Sequence, residues 1–136
     1  MARAPFKLTQ PVVREHPLQR QIAKLLTIEI APPGHCSPFG VWWCSIDHAH
    51  YAGIPATRTR RGIIAGLADF YFEYHGRAHW VELKARDGRL TTAQRELGME
   101  IIKAGGRCGL AHDGDEVLAL LDQWNVPRHR RTRIAA

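Results

Sequence analysis

Three side chains in the middle of the chain have the types and spacing that chemistry needs: Asp69, then Glu82 and Lys84, with twelve residues between the two carboxylates. The stretch from Asp69 to Lys84 reads as two strands joined by a glycine-containing turn at His75-Gly76-Arg77. Phe70, Phe72 and Tyr74 alternate along the first strand, and Trp80, Val81 and Leu83 give the second its apolar bulk. Residues two apart on a strand share a face, so Glu82 and Lys84 project together while Val81, Leu83 and Ala85 face the other way. A carboxylate and an ammonium on one face, opposite an Asp that opens the neighbouring strand, are what a hard-cation site for phosphodiester cleavage requires. Asp69 and Glu82 offer the oxygen ligands that Mg²⁺ prefers, with positions left for water and phosphate. Lys84 offers positive charge beside the attacking water or the scissile phosphate. A purely structural Glu–Lys or Asp–Lys pair is the competing reading of the same triple.

The elements that must hold these residues are legible on either side. Leu18, Ile22, Leu25 and Leu26 repeat at helical spacing and predict a first amphipathic helix ending before Ala31-Pro-Pro-Gly34. Glu15 and Gln19 lie one turn apart near its start, with Pro17 suited to the first helical turn. Val41 to Ile46 reads as a strand, with the Trp42–Trp43 pair as core or as an exposed interface. After Lys84, Asp87-Gly88 forms a turn, and Thr91-x-x-Gln94 has the form of a capping box opening a second helix. Leu90, Ala93, Leu97, Ile101 and Ala104 make the apolar stripe expected to be buried, and Gly105-Gly106 ends the helix. Arg107 to His112 is a further strand. Asp113-Gly-Asp115 then caps a last helix that packs Val117, Leu118, Leu120, Leu121 and Trp124 on the sheet. The order helix, three strands, helix, strand, helix predicts an α/β sandwich with a mixed central sheet and the Glu82-x-Lys84 strand inside it.

Around the triple, Gly62-Ile-Ile-Ala-Gly66-Leu-Ala-Asp69 precedes, Ala85-Arg-Asp-Gly88-Arg-Leu-Thr-Thr-Ala-Gln94 follows, and Ile101-Ile-Lys-Ala-Gly105-Gly-Arg-Cys-Gly comes next. This order resembles the small stand-alone members of the VRR-NUC family of PD-(D/E)xK nucleases over roughly residues 14 to 124. The family usually has Pro before the Asp, where this chain has Ala68; Pro there shapes the backbone and binds nothing. The resemblance implies a restriction-endonuclease-like fold with an αβββαβ core. It implies Mg²⁺ or Mn²⁺ held by Asp69, Glu82 and the Leu83 carbonyl. Glu15 would point at the metal site, where the alternative is a solvated carboxylate favoured by the helix dipole. Gln94 would point into the active site, where the alternative is a cap alone. The implied activity is structure-specific cleavage of branched DNA, such as Holliday junctions, by a homodimer. A general or nicking endonuclease, and a nuclease-like module that binds DNA without cutting, are the alternatives.

Composition sets the bounds. The 136 residues suffice for one core but not two. With 19 Lys and Arg against 13 Asp and Glu, the net charge of +6 favours a polyanionic partner. Arg58, Arg60 and Arg61, with His48 and Arg86, are the candidate DNA contacts, the arginines chiefly to phosphate. Cys36, Cys44 and Cys108 form no CxxC pair, so a disulfide framework is not expected, and a reduced cytoplasmic setting (bacterial, or that of a phage host) fits. Cys36, Cys44, His48 and His50 could bind zinc, though their spacing matches no usual site. No apolar run approaches the ~18 residues of a membrane span, and no membrane association is expected. Residues 1–13 read as an extended arm, 14–125 as the domain, and 126–136 as a basic tail.

Overall fold

A computed structural model describes residues 16–46, 62, 64 and 66–130. Among these, the chain is mixed α/β, with helix α1 (His16–Glu29), strands β1 (Trp42–Ser45), β2 (Phe70–Tyr74) and β3 (Arg77–Leu83), helix α2 (Thr92–Lys103), strand β4 (Arg107–Ala111) and helix α3 (Gly114–Gln123). No helix among the described residues is long and apolar enough to cross a membrane. The four strands lie in the order β1-β2-β3-β4, antiparallel except for the parallel pair β3–β4. A parallel pair cannot be closed by a tight turn, and α2 supplies the crossover. The β2–β3 pair closes in two residues, His75 and Gly76, both at positive φ (50° and 69°), so its twist matches that of the strands.

The alternation read in the sequence sorts the two faces. Phe70, Phe72, Val81, Leu83 and Ala111 are buried on one face, under Ile22, Leu26, Val117 and Leu121 of α1 and α3. β4 carries Gly109 beneath α3 because a Cβ there would fall 2.7 Å from Leu120 Cδ1. The opposite face carries α2 over β3 and β4, and half-buried Trp42, Tyr71 and Trp80 in ring contact over β1 to β3. Burial pushes the Tyr71 hydroxyl up to about 12, aided by its hydrogen bond to Glu73.

Three expectations are corrected. The Trp42–Trp43 pair is not one exposed patch: Trp43 is fully buried and donates its indole N–H to the Ala31 carbonyl at 2.7 Å, while Trp42 lies on the other face, half-buried. Two neighbours on a strand must point opposite ways. The α2 stripe is not buried: Ala93 and Ala104 are exposed, and Leu97 and Ile101 are only half-buried. The helix approaches the sheet where Gly98 meets Cys108, and a groove of about 380 Å³ opens between its apolar side and the sheet. The chain beyond residue 125 does not leave the domain as a tail from 126. Val126 is buried in the core, and Arg128 reaches back to α1.

That return is an ion-pair network. Arg128 grips both Asp122 carboxylate oxygens at 3.0 Å and donates to Glu29 Oε2 at 2.9 Å, and the His129 N–H caps the Glu29 carbonyl at 2.7 Å. Hydrogen bonding to Arg128 pulls the Asp122 carboxyl below its usual range. The Glu29 side chain is 8% exposed and pairs with Arg128 at 2.9 Å. Arg128→Ala should therefore cost about 3 kcal/mol in urea denaturation, because it leaves a buried carboxylate alone. Glu29→Gln in the same chain should restore part of that loss.

Candidate functional site

The site is built where β2 begins and β3 ends. Phe70 is opposite Val81, so Asp69, just before Phe70, lies at the same end of the hairpin as Glu82. Asp69 is fastened from two sides. Its N–H donates to the Val81 carbonyl at 3.1 Å, its carbonyl accepts the Ile46 N–H at 2.8 Å, and its Oδ2 accepts the Leu83 N–H at 2.8 Å. A side chain that bonds the strand backbone in this way has its carboxylate direction set by the sheet itself. The Lys84 N–H donates to the Ala111 carbonyl at 3.0 Å, which extends the β3–β4 pairing past Leu83.

Glu82 is buried, 7% exposed, and held from two directions. Its Oε1 accepts from Gln94 Nε2 at 2.7 Å and lies 3.4 Å from Lys84 Nζ. Glu82 and Lys84 thus leave the same face of β3, while Val81 and Leu83 enter the core on the other. Asp69 is 6% exposed, and the Lys84 side chain is 15% exposed. Burying carboxylates is costly unless charge and hydrogen bonds compensate. Lys84, Gln94 and the Leu83 N–H supply part of that compensation.

Gln94 serves two structures with one amide. Thr91 Oγ1 accepts the Gln94 N–H at 3.2 Å and Gln94 Oε1 accepts the Thr91 N–H at 2.9 Å, completing the capping box of α2. The opposite end of the amide donates to Glu82. The helix cap and the orientation of the carboxylate are therefore one geometric unit. Gly66 brings the approach to Asp69 across this first turn. At φ +86° its absent Cβ would sit 3.2 Å from the Ala93 carbonyl oxygen, too close for a side chain at that backbone.

Beyond Lys84, the turn closed by Gly88 N–H to the Ala85 carbonyl (2.7 Å) leaves Arg86 exposed at the rim of the site. Glu15, His48, Arg58, Arg60 and Arg61 lie outside the described residues, as does His50. Of the four residues weighed for zinc, Cys36 is an exposed free thiol and Cys44 a half-buried one whose pKa burial raises. Among the described residues, no three His, Cys, Asp or Glu side chains cluster in a way that could hold a metal. Asp69 and Glu82 form a carboxylate pair, a hard oxygen donor set suited to Mg²⁺ or Mn²⁺ rather than to a thiolate-seeking ion.

Sequence reasoning missed the groove beside Glu82, whose walls are Trp80, Leu90, Leu97 and Leu110, with Glu82 and Gln94 as its polar end. Helical periodicity told which side of α2 faces the sheet, but carried no signal for how far the helix stands off it. Comparison of the chain with family models, curated proteins and solved structures found no match.

The double duty of Gln94 has a measurable signature. Thr91→Ala should cost about 1 kcal/mol through the cap alone. Gln94→Leu should cost more, about 2 kcal/mol, because it also withdraws the amide donor from buried Glu82. Urea unfolding of the two variants decides the point, and equal losses would mean that the contact with Glu82 contributes nothing to stability.

Proposed function

We propose that this chain is a metal-dependent DNA endonuclease of the VRR-NUC kind, with the restriction-endonuclease-like version of its α/β fold. The observation that carries the reading is the buried cluster at the end of an internal strand: Asp69 and Glu82 both buried at the same end of the β2–β3 hairpin, with the Lys84 ammonium 3.4 Å from Glu82 Oε1. A structural ion pair alone has no need of a second buried carboxylate on the adjoining strand. The net charge of +6 fits a polyanionic substrate.

In this reading Asp69, Glu82 and the Leu83 carbonyl hold Mg²⁺ or Mn²⁺. Bound there, such a cation lowers the pKa of water and neutralises charge on the phosphate. Asp69 keeps its direction through the Leu83 N–H, and Glu82 through Gln94. Lys84 places its ammonium where negative charge grows as a P–O bond forms to water and the ester P–O bond breaks. The family resemblance assigns Glu15 to the metal site as well. Arg58, Arg60, Arg61, His48 and Arg86 meet the DNA, so binding and chemistry are carried by different residues. Branched DNA, cut by a homodimer with paired active sites, is the proposed substrate. Nothing in the chain resembles a base-reading module, so selection rests on DNA shape.

Cleavage of a four-way junction, a linear duplex and a single strand, with Mg²⁺ or Mn²⁺ and with EDTA, tests the proposal. Wild type should cut the junction only with metal. Lys84→Ala should lose at least about 100-fold in turnover while still binding the junction. Equal cutting of all three substrates would keep the nuclease and discard the junction preference. Tight metal-independent binding without any cutting would favour a non-cleaving DNA-binding module, and wild-type cleavage by Lys84→Ala would overturn the mechanism.

A further inference from the structure

A second polar cavity lies at the other end of the sheet, on the face that carries α1 and α3. It measures about 420 Å³ and opens to solvent between the β2–β3 turn, the start of β4 and the end of α3. Its polar walls are Tyr74, His75, Arg77, His79, Arg107 and Asn125. The strand register explains why these meet. Tyr74 pairs with Arg77, Phe72 with His79, and His79 with Arg107, and paired residues share a face. Two strands, β3 and β4, thus bring two guanidiniums and an imidazole to one spot, beside Tyr74 of β2.

Neither arginine has an acidic partner: among the described residues Arg77 and Arg107 make no ion pair and no side-chain hydrogen bond. The nearby carboxylates are committed elsewhere. Glu73 bonds Tyr71 on the opposite face, and Asp122 is held by Arg128. His79 is 2% exposed, stacks on Trp124 with ring centroids 5.4 Å apart, and its buried Nδ1 makes no hydrogen bond. Burial first, and then the charges of Arg107 and Arg77, hold its pKa below the ordinary 6.5, outweighing the nearby Phe72 and Arg77 backbone. Arg77 is exposed and Arg107 half-buried, so both guanidiniums reach the mouth of the cavity, above a buried ring nitrogen that no described residue satisfies. Guanidinium forks match the oxygens of phosphate.

We propose that the cavity walled by Arg77, His79 and Arg107 is a phosphate-binding site, separate from the Asp69–Glu82–Lys84 cluster. Arg77 and Arg107 grip the phosphate oxygens, and His79, supported by Trp124, lies at the floor. Along β3, His79 and Glu82 are three positions apart, about 10 Å, and the two side chains leave opposite faces. One phosphate group cannot serve both places. The group arrives either on a free phosphate compound or as part of a nucleic-acid backbone. The site does not depend on the chain being a nuclease.

The test is an NMR titration of the folded protein with inorganic phosphate at constant ionic strength, and in parallel with a short DNA duplex without metal. Phosphate should shift the Arg77 and Arg107 side-chain resonances and the amides of residues 74–79 and 124–125 in a saturable way. In Arg77→Ala/Arg107→Ala the phosphate affinity should fall about tenfold or more, the contribution of a charge-assisted hydrogen bond. Arg20→Ala/Lys24→Ala, which removes the same charge from the exposed side of α1, should leave it unchanged. If the duplex shifts the same resonances and weakens in the same variant, the phosphate belongs to a nucleic-acid backbone. If only inorganic phosphate does so, it belongs to a free compound. No saturable shift with either ligand, or equal losses in the two double variants, would overturn the site. Loss of cleavage with this binding intact would count against the nuclease alone.

Discussion

The carboxylate of Glu82 is the constraint around which this molecule is arranged. It sits 7% exposed at the end of an internal strand, where a charge without company would cost several kcal/mol. Among the described residues its company includes the Gln94 amide at 2.7 Å and the Lys84 ammonium at 3.4 Å. The first requires α2 to begin where it does, because Gln94 is also the residue that closes the capping box with Thr91. The second requires β3 to keep its alternation past Val81 and Leu83, so that Lys84 emerges beside Glu82 rather than behind it. The parallel pairing of β4, continued by Lys84 N–H to the Ala111 carbonyl, holds that last step of the strand straight.

What could be read from the chain was local. Alternation of Phe70, Phe72 and Tyr74 identified β2 because the period of a strand is two and its buried face is continuous. The capping box was legible because donor and acceptor are three residues apart. The order of elements followed from such signals added together. The misreadings share a physical origin in distance along the chain. Arg128 is separated from Glu29 by 99 positions, and a run of basic residues reads as a solvated tail unless the buried acid it neutralises is known. The stripe of α2 has helical period whether or not anything lies against it. Trp42 and Trp43 were treated as a unit, although adjacent strand residues are the ones least able to share an environment.

The candidate site was legible to a similar depth. Asp69, Glu82 and Lys84 stand out as types at a spacing, and Gln94 stands out as a cap. That one amide does both jobs was beyond reach, because the distance from Gln94 to Glu82 depends on how closely the first turn of α2 passes Gly66 and the sheet. The Arg77, His79 and Arg107 cavity left no trace in the sequence at all. These three residues come from two strands that are distant in sequence and meet through the β3–β4 pairing, and each alone looks like an ordinary residue of a basic protein.

The two polar places differ in how their charge is balanced, and the difference is informative. At the end of β3 the buried charges are mainly negative and their counterions are supplied in part by the chain, through Lys84. At the start of β3 the charges are positive and the chain supplies no counterion among the described residues. A fold that places Arg128 against Glu29 and Asp122 at 2.9–3.0 Å has the means to neutralise an arginine wherever stability asks for it. Among the described residues Arg77 at the start of β3 and Arg107 at the start of β4 go unmatched, while the acid at Glu73 is turned to the other face. Both guanidiniums line the cavity whose floor is the buried His79, and the His79 Nδ1 has no hydrogen bond among the described residues. An anion brought from outside accounts for all three residues at once.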